Sequence, residues 1–144
     1  DMIRCKKVFT AEPAAIPRVH DFVKETLTEN GIGDQSTNDL VLACDEAATN
    51  IVEHAFEGNN AALKPRPKFV LALHCGKDKV TATFFDSGAS FNMQAVEPPD
   101  IRKNLNGEKR GGYGVFLIRK LVDKIVYSAR QRLNVTRLVK EVQG

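Results

Sequence analysis

Glu46, Asn50 and His54 recur at four-residue intervals in Asp45-Glu46-Ala47-Ala48-Thr49-Asn50-Ile51-Val52-Glu53-His54-Ala55. On an α-helix that spacing lines a carboxylate, an amide and an imidazole along one face. The other face carries Val41, Cys44, Ala48, Val52 and Ala55, an apolar stripe suited to a core. Such a polar row on a half-buried helix is costly unless something binds it. Taken alone it is also what the solvated face of any amphipathic helix looks like. It becomes a site only if other parts of the chain supply matching pieces.

Two other stretches do so. Asp86-Ser87-Gly88 ends an apolar run. An Asp at a strand end can accept a hydrogen bond from an exocyclic amine, and Gly88 lets backbone approach a flat ring. In isolation Asp-x-Gly is a common turn. Further on, Gly111-Gly112-Tyr113-Gly114-Val115-Phe116-Leu117-Ile118 runs a glycine cluster into a helix. Bare N–H groups at a helix start attract anions, and Lys109 and Arg110 stand ready to add charge-assisted contacts to phosphate. The pattern is neither a dinucleotide fingerprint nor a phosphate loop. No strand immediately precedes it, its third glycine is missing, and no Gly-Lys-Ser/Thr follows. Together the three pieces read as a nucleotide site: Glu46 and Asn50 from a helix, Asp86 for the base, a glycine-rich helix start for the phosphates.

The elements that must hold these residues follow from periodicity. Ile3 to Phe9 reads as a strand, and Pro13 to Asn30 as a helix with Ile16, Val19, Phe22, Val23 and Leu27 on one face, stopped at Asn30-Gly31. Asp34 to Ser36 is expected to cap a second helix from about Thr37 to Phe56. Lys68 to Cys75 and Lys79 to Phe85 form a hairpin about Gly76-Lys77-Asp78. Ala89 to Gly112 lacks periodicity, and a loop that long inside a compact domain is usually functional or mobile. Tyr113 to Lys124 is an amphipathic helix; Ile125 to Gln131 and Val135 to Val142 are strands. The order β-α-α-β-β-loop-α-β-β predicts an α+β fold, a two-layer sandwich whose mostly antiparallel sheet is covered on one face by three helices.

The bulk properties agree. A chain of 144 residues makes one domain, 1–144, with enough length for a real core. The net charge of +3 does not argue for nucleic acid or a membrane surface, and no apolar run approaches a span. Cys5, Cys44 and Cys75 are far apart and odd in number, which favours buried reduced thiols and a cytoplasmic location.

In this order and spacing the pieces resemble the three ATP-binding boxes of the gyrase, heat-shock chaperone, histidine kinase and mismatch-repair ATPase superfamily. Within it they look most like the anti-sigma-factor serine/threonine kinases. The resembling segments are Glu46-x-x-x-Asn50-x-x-x-His54-Ala55-Phe56, Asp86-Ser87-Gly88-Ala89-Ser90-Phe91 and Gly112-Tyr113-Gly114-Val115-Phe116-Leu117-Ile118-Arg119-Lys120-Leu121. Ala89 stands where many superfamily members have a second Gly, a departure the small kinases tolerate. The resemblance implies a histidine kinase-like ATPase fold and an ATP-dependent phosphotransferase. Asn50 is then the Mg²⁺ ligand, Glu46 the general base, and Asp86 the adenine reader with Gly88 beside it. Gly112 and Gly114 let an ATP lid, about residues 92–110, fold over the phosphates. Thr136 assists adenine through water, and His54 either approaches the phosphates or packs and caps. Arg18 falls in a region the family uses for partner contact, or is simply solvated.

The implied function is a protein serine/threonine kinase and anti-sigma factor. It phosphorylates an anti-sigma-factor antagonist and sequesters a sigma factor, with a homodimer formed through the sheet as in many family members. No phosphoacceptor helix is expected before the domain and no transducer domain after it, which argues against a histidine kinase and a simple ATPase. The alternative is a non-catalytic ATP-binding regulatory module, or a domain of a larger signalling protein.

Overall fold

In the computed structural model of the protein, residues 3–57, 62, 64–87 and 111–142 are described, the side chains of residues 111–113 excepted. The described elements are β1 (Ile3–Thr10), α1 (Ala15–Glu29), α2 (Asp34–Ala55), β2 (Lys68–Cys75), β3 (Lys79–Asp86), α3 (Gly111–Leu121), β4 (Lys124–Arg130) and β5 (Leu133–Glu141). The strands form one sheet in the order β1-β2-β3-β5-β4, and every pairing is antiparallel. α1 packs on α2 and α2 on α3. This is the two-layer α+β sandwich expected from the sequence.

Period-two alternation gives the sheet its inner face. Phe69, Leu71, Leu73 and Cys75 of β2 are buried, as are Val80, Ala82 and Phe84 of β3. Phe9, Phe69 and Phe84 run across three strands, with ring centroids 5.4 Å and then 6.4 Å apart. The helices answer with Val19, Val23 and Leu27 of α1, all fully buried, and with all five apolar residues expected on α2. Ile16 and Phe22 pack only partly against that core. Lys140 ties the layers together: its Nζ donates to Leu121 O at 2.7 Å and lies 3.1 Å from Asp39 Oδ2.

The element boundaries depart from the expected ones for local reasons. α1 ends in a Schellman arrangement: Ile32 N donates to Leu27 O at 3.0 Å, Gly31 N to Thr28 O at 3.1 Å, and Gly31 takes φ 74°. α2 begins three residues before Thr37. Gly33 is the cap residue and Asp34 lies inside the first turn, where its charge suits the helix dipole. α3 spans Gly111–Leu121 rather than Tyr113–Lys124, so Gly111, Gly112 and Gly114 lie inside it. It stops early because Asp123 turns the chain into the sheet: Asp123 N donates to Val139 O at 2.9 Å, and its Oδ2 accepts from Glu141 N at 2.7 Å. β4 and β5 meet through Gln131, whose φ of 54° is left-handed. Cys44 and Cys75 are buried and Cys5 only half-buried, and all three thiols are free.

Candidate functional site

Glu46, Asn50 and His54 stand on α2, and all three are half-buried rather than solvated. α3 packs on α2, and its Gly114 lies against the first two. Gly114 approaches so closely that an alanine Cβ there would stand 2.7 Å from Glu46 Oε2 and 3.7 Å from Asn50 Oδ1. The glycine leaves the room in which the Glu46 oxygen sits, while Asn50 Oδ1 lies at ordinary contact distance. Asn50 Nδ2 is buried with no hydrogen-bond partner among the described residues, an arrangement that needs a ligand or solvent to complete it.

The electrostatics of the row single out Glu46. Its carboxyl is pushed above the ordinary carboxylate range, first by burial and then by the charges of Asp45 and Glu53. A carboxylate made more basic, next to a backbone that carries no side chain, is suited to taking a proton. Asp45 is raised by burial as well, with the hydrogen bond from His20 pulling the other way. His20 Nδ1 lies 2.8 Å from Asp45 Oδ2, which joins α1 to the start of the row. At the far end His54 Nδ1 lies 3.1 Å from Glu57 Oε2. Arg66 closes the helix: its Nη2 donates to Ala55 O at 2.8 Å, and its guanidinium lies 3.7 Å over the Phe56 ring.

Asp86 is the last residue of β3, on the helix-facing side two positions beyond the buried Phe84. Its cross-strand partner is Asn134, which is 4% exposed. Asn134 Nδ2 donates to Asp86 Oδ1 at 3.0 Å, and Tyr127 Oη donates to Asn134 Oδ1 at 3.0 Å. Thr136 is buried on the same face, opposite Phe84 on one side and Tyr127 on the other. The fold therefore brings Glu46, Asn50 and Gly114 together, and separately Asp86, Asn134 and Thr136. Arg18 is exposed on α1. Gly88, Lys109, Arg110 and the segment 92–110 lie outside the described residues, and Gly112 enters only as backbone of the first turn of α3.

Asn134, Tyr127 and the His20–Asp45 pair do not stand out in the sequence. Asn134 carried a faint signal, since asparagine is depleted in strand interiors and this one shares a face with Thr136. Among the described residues no three His, Cys, Asp or Glu gather as a metal cluster. No helix of the described residues is long and apolar enough to cross a membrane.

Comparison with known proteins bears on the same elements. Residues 9–140 match the histidine kinase-like ATPase domain family. A serine-protein kinase RsbW of Halalkalibacterium halodurans is 33% identical over 122 residues, covering 76% of this chain and 70% of that protein. The RsbW of Listeria innocua is 29% identical over 119 residues, covering 78% and 73%. Two solved structures share the fold at a TM-score of 0.64. One holds the RsbU and RsbW domains of Rv1364c from Mycobacterium tuberculosis, 18% identical, and spans 97% of this chain but 32% of that one. The other is the SiaB–SiaC complex from Pseudomonas aeruginosa, 12% identical, covering 96% of this chain and 88% of that one. The chain belongs to the histidine kinase-like ATPase domain family and, within it, to the RsbW-type serine-protein kinases.

Proposed function

We propose that the protein transfers the γ-phosphoryl group of ATP to a serine or threonine of an anti-sigma-factor antagonist, and that it also sequesters a sigma factor. The observation that carries this reading is the approach of Gly114 to Glu46 and Asn50 beneath a carboxyl of raised basicity. Glu46 takes the proton of the attacking hydroxyl as the new O–P bond forms. The bond from the γ-phosphorus to the β,γ-bridging oxygen breaks, and ADP leaves. Little covalent work falls to the protein in such a transfer, so position and charge decide the rate.

Asn50 fits the role of Mg²⁺ ligand. An amide oxygen is a hard donor, and Mg²⁺ takes few protein ligands while keeping several waters. The buried amide nitrogen without a partner among the described residues supports a site that is completed on binding. Bound there, the ion would neutralise phosphate charge. Asp86 supplies the acceptor for the exocyclic amine of adenine, with Gly88 beside it and Thr136 on the same face. Gly112 and Gly114 open the phosphate end, and Lys109 and Arg110 add charge there. The contact of His54 Nδ1 with Glu57 fits the packing and capping role. The homodimer through the sheet, the use of Arg18 in partner contact, and a cytoplasmic location belong to the same reading. The three free thiols support the last.

The test is incubation with γ-labelled ATP, Mg²⁺ and the cognate antagonist. The label is expected on a serine or threonine of the antagonist. Glu46→Ala should retain nucleotide binding and lose transfer by about 10²–10⁴-fold. A wild type that binds ATP and labels no antagonist overturns the kinase reading in favour of a non-catalytic ATP-binding module.

A further inference from the structure

Resting on the proton-accepting role proposed for Glu46, we infer that Lys140 is a positioning residue for the transfer. By clamping the end of α3 to α2, it sets the register in which Gly114, and no residue with a side chain, faces Glu46. Lys140 belongs to β5, on the helix-facing side of the sheet two residues beyond the buried Leu138. Its Nζ donates at 2.7 Å to the carbonyl oxygen of Leu121, the last residue of α3. The same Nζ lies 3.1 Å from Asp39 Oδ2 on α2. One ammonium therefore joins three elements. The other oxygen of Asp39 accepts from Gln35 Nε2 at 2.9 Å, so the carboxylate is held from both sides.

The clamp and the Gly114 contact are matched in spacing. Glu46 follows Asp39 by seven residues on α2, and Leu121 follows Gly114 by seven on α3. The two helices run antiparallel, so Asp39 answers Leu121 where Glu46 answers Gly114. Seven residues make about two helical turns, roughly 10.5 Å, and return to nearly the same face. The clamp and the catalytic contact are thus two rungs of one helix pair, at opposite ends of α3.

Apolar packing does not by itself fix such a register. Val115 and Ile118 bury α3 against the core, but the attraction that holds them is non-directional. A helix that slips by one residue moves about 1.5 Å along its axis and turns about 100°. It then presents Tyr113 or Val115 where Gly114 stood, and a Cβ at that place meets Glu46 Oε2 at 2.7 Å. Lys140 opposes the slip. Leu121 O is one of the carbonyls that a helix end leaves without an intrahelical partner, and a cation there also suits the helix dipole. The Lys140 and Asp39 side chains are only 17% and 20% exposed, so the pair is poorly screened and breaking it leaves a part-buried charge unmatched.

Single-turnover transfer from ATP to the cognate antagonist at saturating concentrations, with thermal melts of the same samples, tests the clamp. Lys140→Met keeps the side chain's length and removes the donor. It should slow transfer at least about tenfold, since a misplacement of about 1 Å costs on the order of 10²-fold. Asp39→Asn, which leaves the bond to Leu121, should slow transfer by less. The decisive readout is a cycle with Gly114→Ala. Residues this far apart are otherwise additive to within about twofold. With the register already lost, adding Gly114→Ala to Lys140→Met should cost less than about threefold, far below its cost in wild type. A merely structural role would lower the melting temperature alone, or slow transfer additively with Gly114→Ala; either result overturns the clamp, while Glu46 keeps its role if Glu46→Ala still abolishes transfer. If wild type binds ATP and transfers nothing, or Glu46→Ala transfers at the wild-type rate, the reading of Glu46 fails and the clamp fails with it. Should Lys140→Met fail to fold, the same cycle is run in Asp39→Asn, where additivity overturns the clamp.

Discussion

Gly114→Ala isolates the contact on which the proposed catalytic site depends. The new Cβ would stand 2.7 Å from Glu46 Oε2, and ordinary contact begins at 3.4 Å. The difference, about 0.7 Å, is the least distance by which the carboxylate or the helix must retreat. The cheaper retreat is the end of a flexible side chain. Turning Glu46 partly off its rotamer costs about 0.5–1.5 kcal/mol. Replacing Gly with Ala in a helix returns up to about 1 kcal/mol of propensity. These nearly cancel, so the variant should melt within about 4 °C of wild type. Transfer should suffer far more, because a displacement approaching 1 Å at a catalytic group costs on the order of 10²-fold. The assay is single-turnover transfer from ATP to the cognate antagonist, with a melt on the same preparation. A second background makes the result specific. In Glu46→Ala there is no carboxylate to displace, so adding Gly114→Ala should cost little more. Full transfer activity in Gly114→Ala, or an additive loss in the double variant, would refute the coupling of Gly114 to Glu46.

Four further outcomes follow from the structure. Asn50→Ala should lose the Mg²⁺-dependent part of ATP affinity in calorimetry, and equal ATP·Mg²⁺ affinity in variant and wild type would remove Asn50 from the metal site. Folding raises the Glu46 carboxyl above its ordinary value, so it disfavours the ionised form, and stability is lost as pH rises through the raised value. Glu46→Gln should therefore melt above wild type at pH 7, with the gap closing as pH falls toward the ordinary carboxylate range. For the same reason, the rising acid limb of transfer activity should move to lower pH in Glu53→Gln, which removes a neighbouring negative charge; an unmoved limb would separate Glu46 from the titration. Finally, Cys44 is fully buried and its thiol is pushed far up by burial, so in native protein it should be alkylated well after the half-buried Cys5, as peptide mapping over time would show.

The layers and the main site elements were legible in the sequence because they rest on periodicity. The stripe Val41, Cys44, Ala48, Val52 and Ala55 fixes the inward face of α2, and that in turn fixes where Glu46, Asn50 and His54 must point. What periodicity cannot supply is a boundary set by a distant partner. Lys124 lies between Val122 and Ile125, which continue the apolar spacing of Val115 and Ile118, and would sit well in a longer helix. It opens β4 instead, because Asp123 bonds to Val139 and Glu141 across the sheet. Likewise Gln131 gives no turn signal, yet takes the left-handed φ of 54° that closes β4 onto β5. Strand pairing overrides local preference at both places.

The site itself divides along the same line. Glu46 and Asn50 share one helix, so a four-residue spacing reveals them together. Asp86, Asn134 and Tyr127 lie on three strands, and only the register of β3, β5 and β4 makes them neighbours. No spacing in the chain announces that register, and each residue alone has an ordinary explanation. The difference in legibility also explains a difference in cost. The half-buried row on α2 keeps a carboxyl and an amide partly out of water, and Glu46 is held where folding opposes its charge. Asp86 instead accepts from Asn134, whose own side-chain oxygen accepts from Tyr127. A group that must accept a proton gains from surroundings that oppose its charge, whereas a group that must only accept a hydrogen bond is best matched with donors. The two halves of the proposed ATP site are built on those opposite principles.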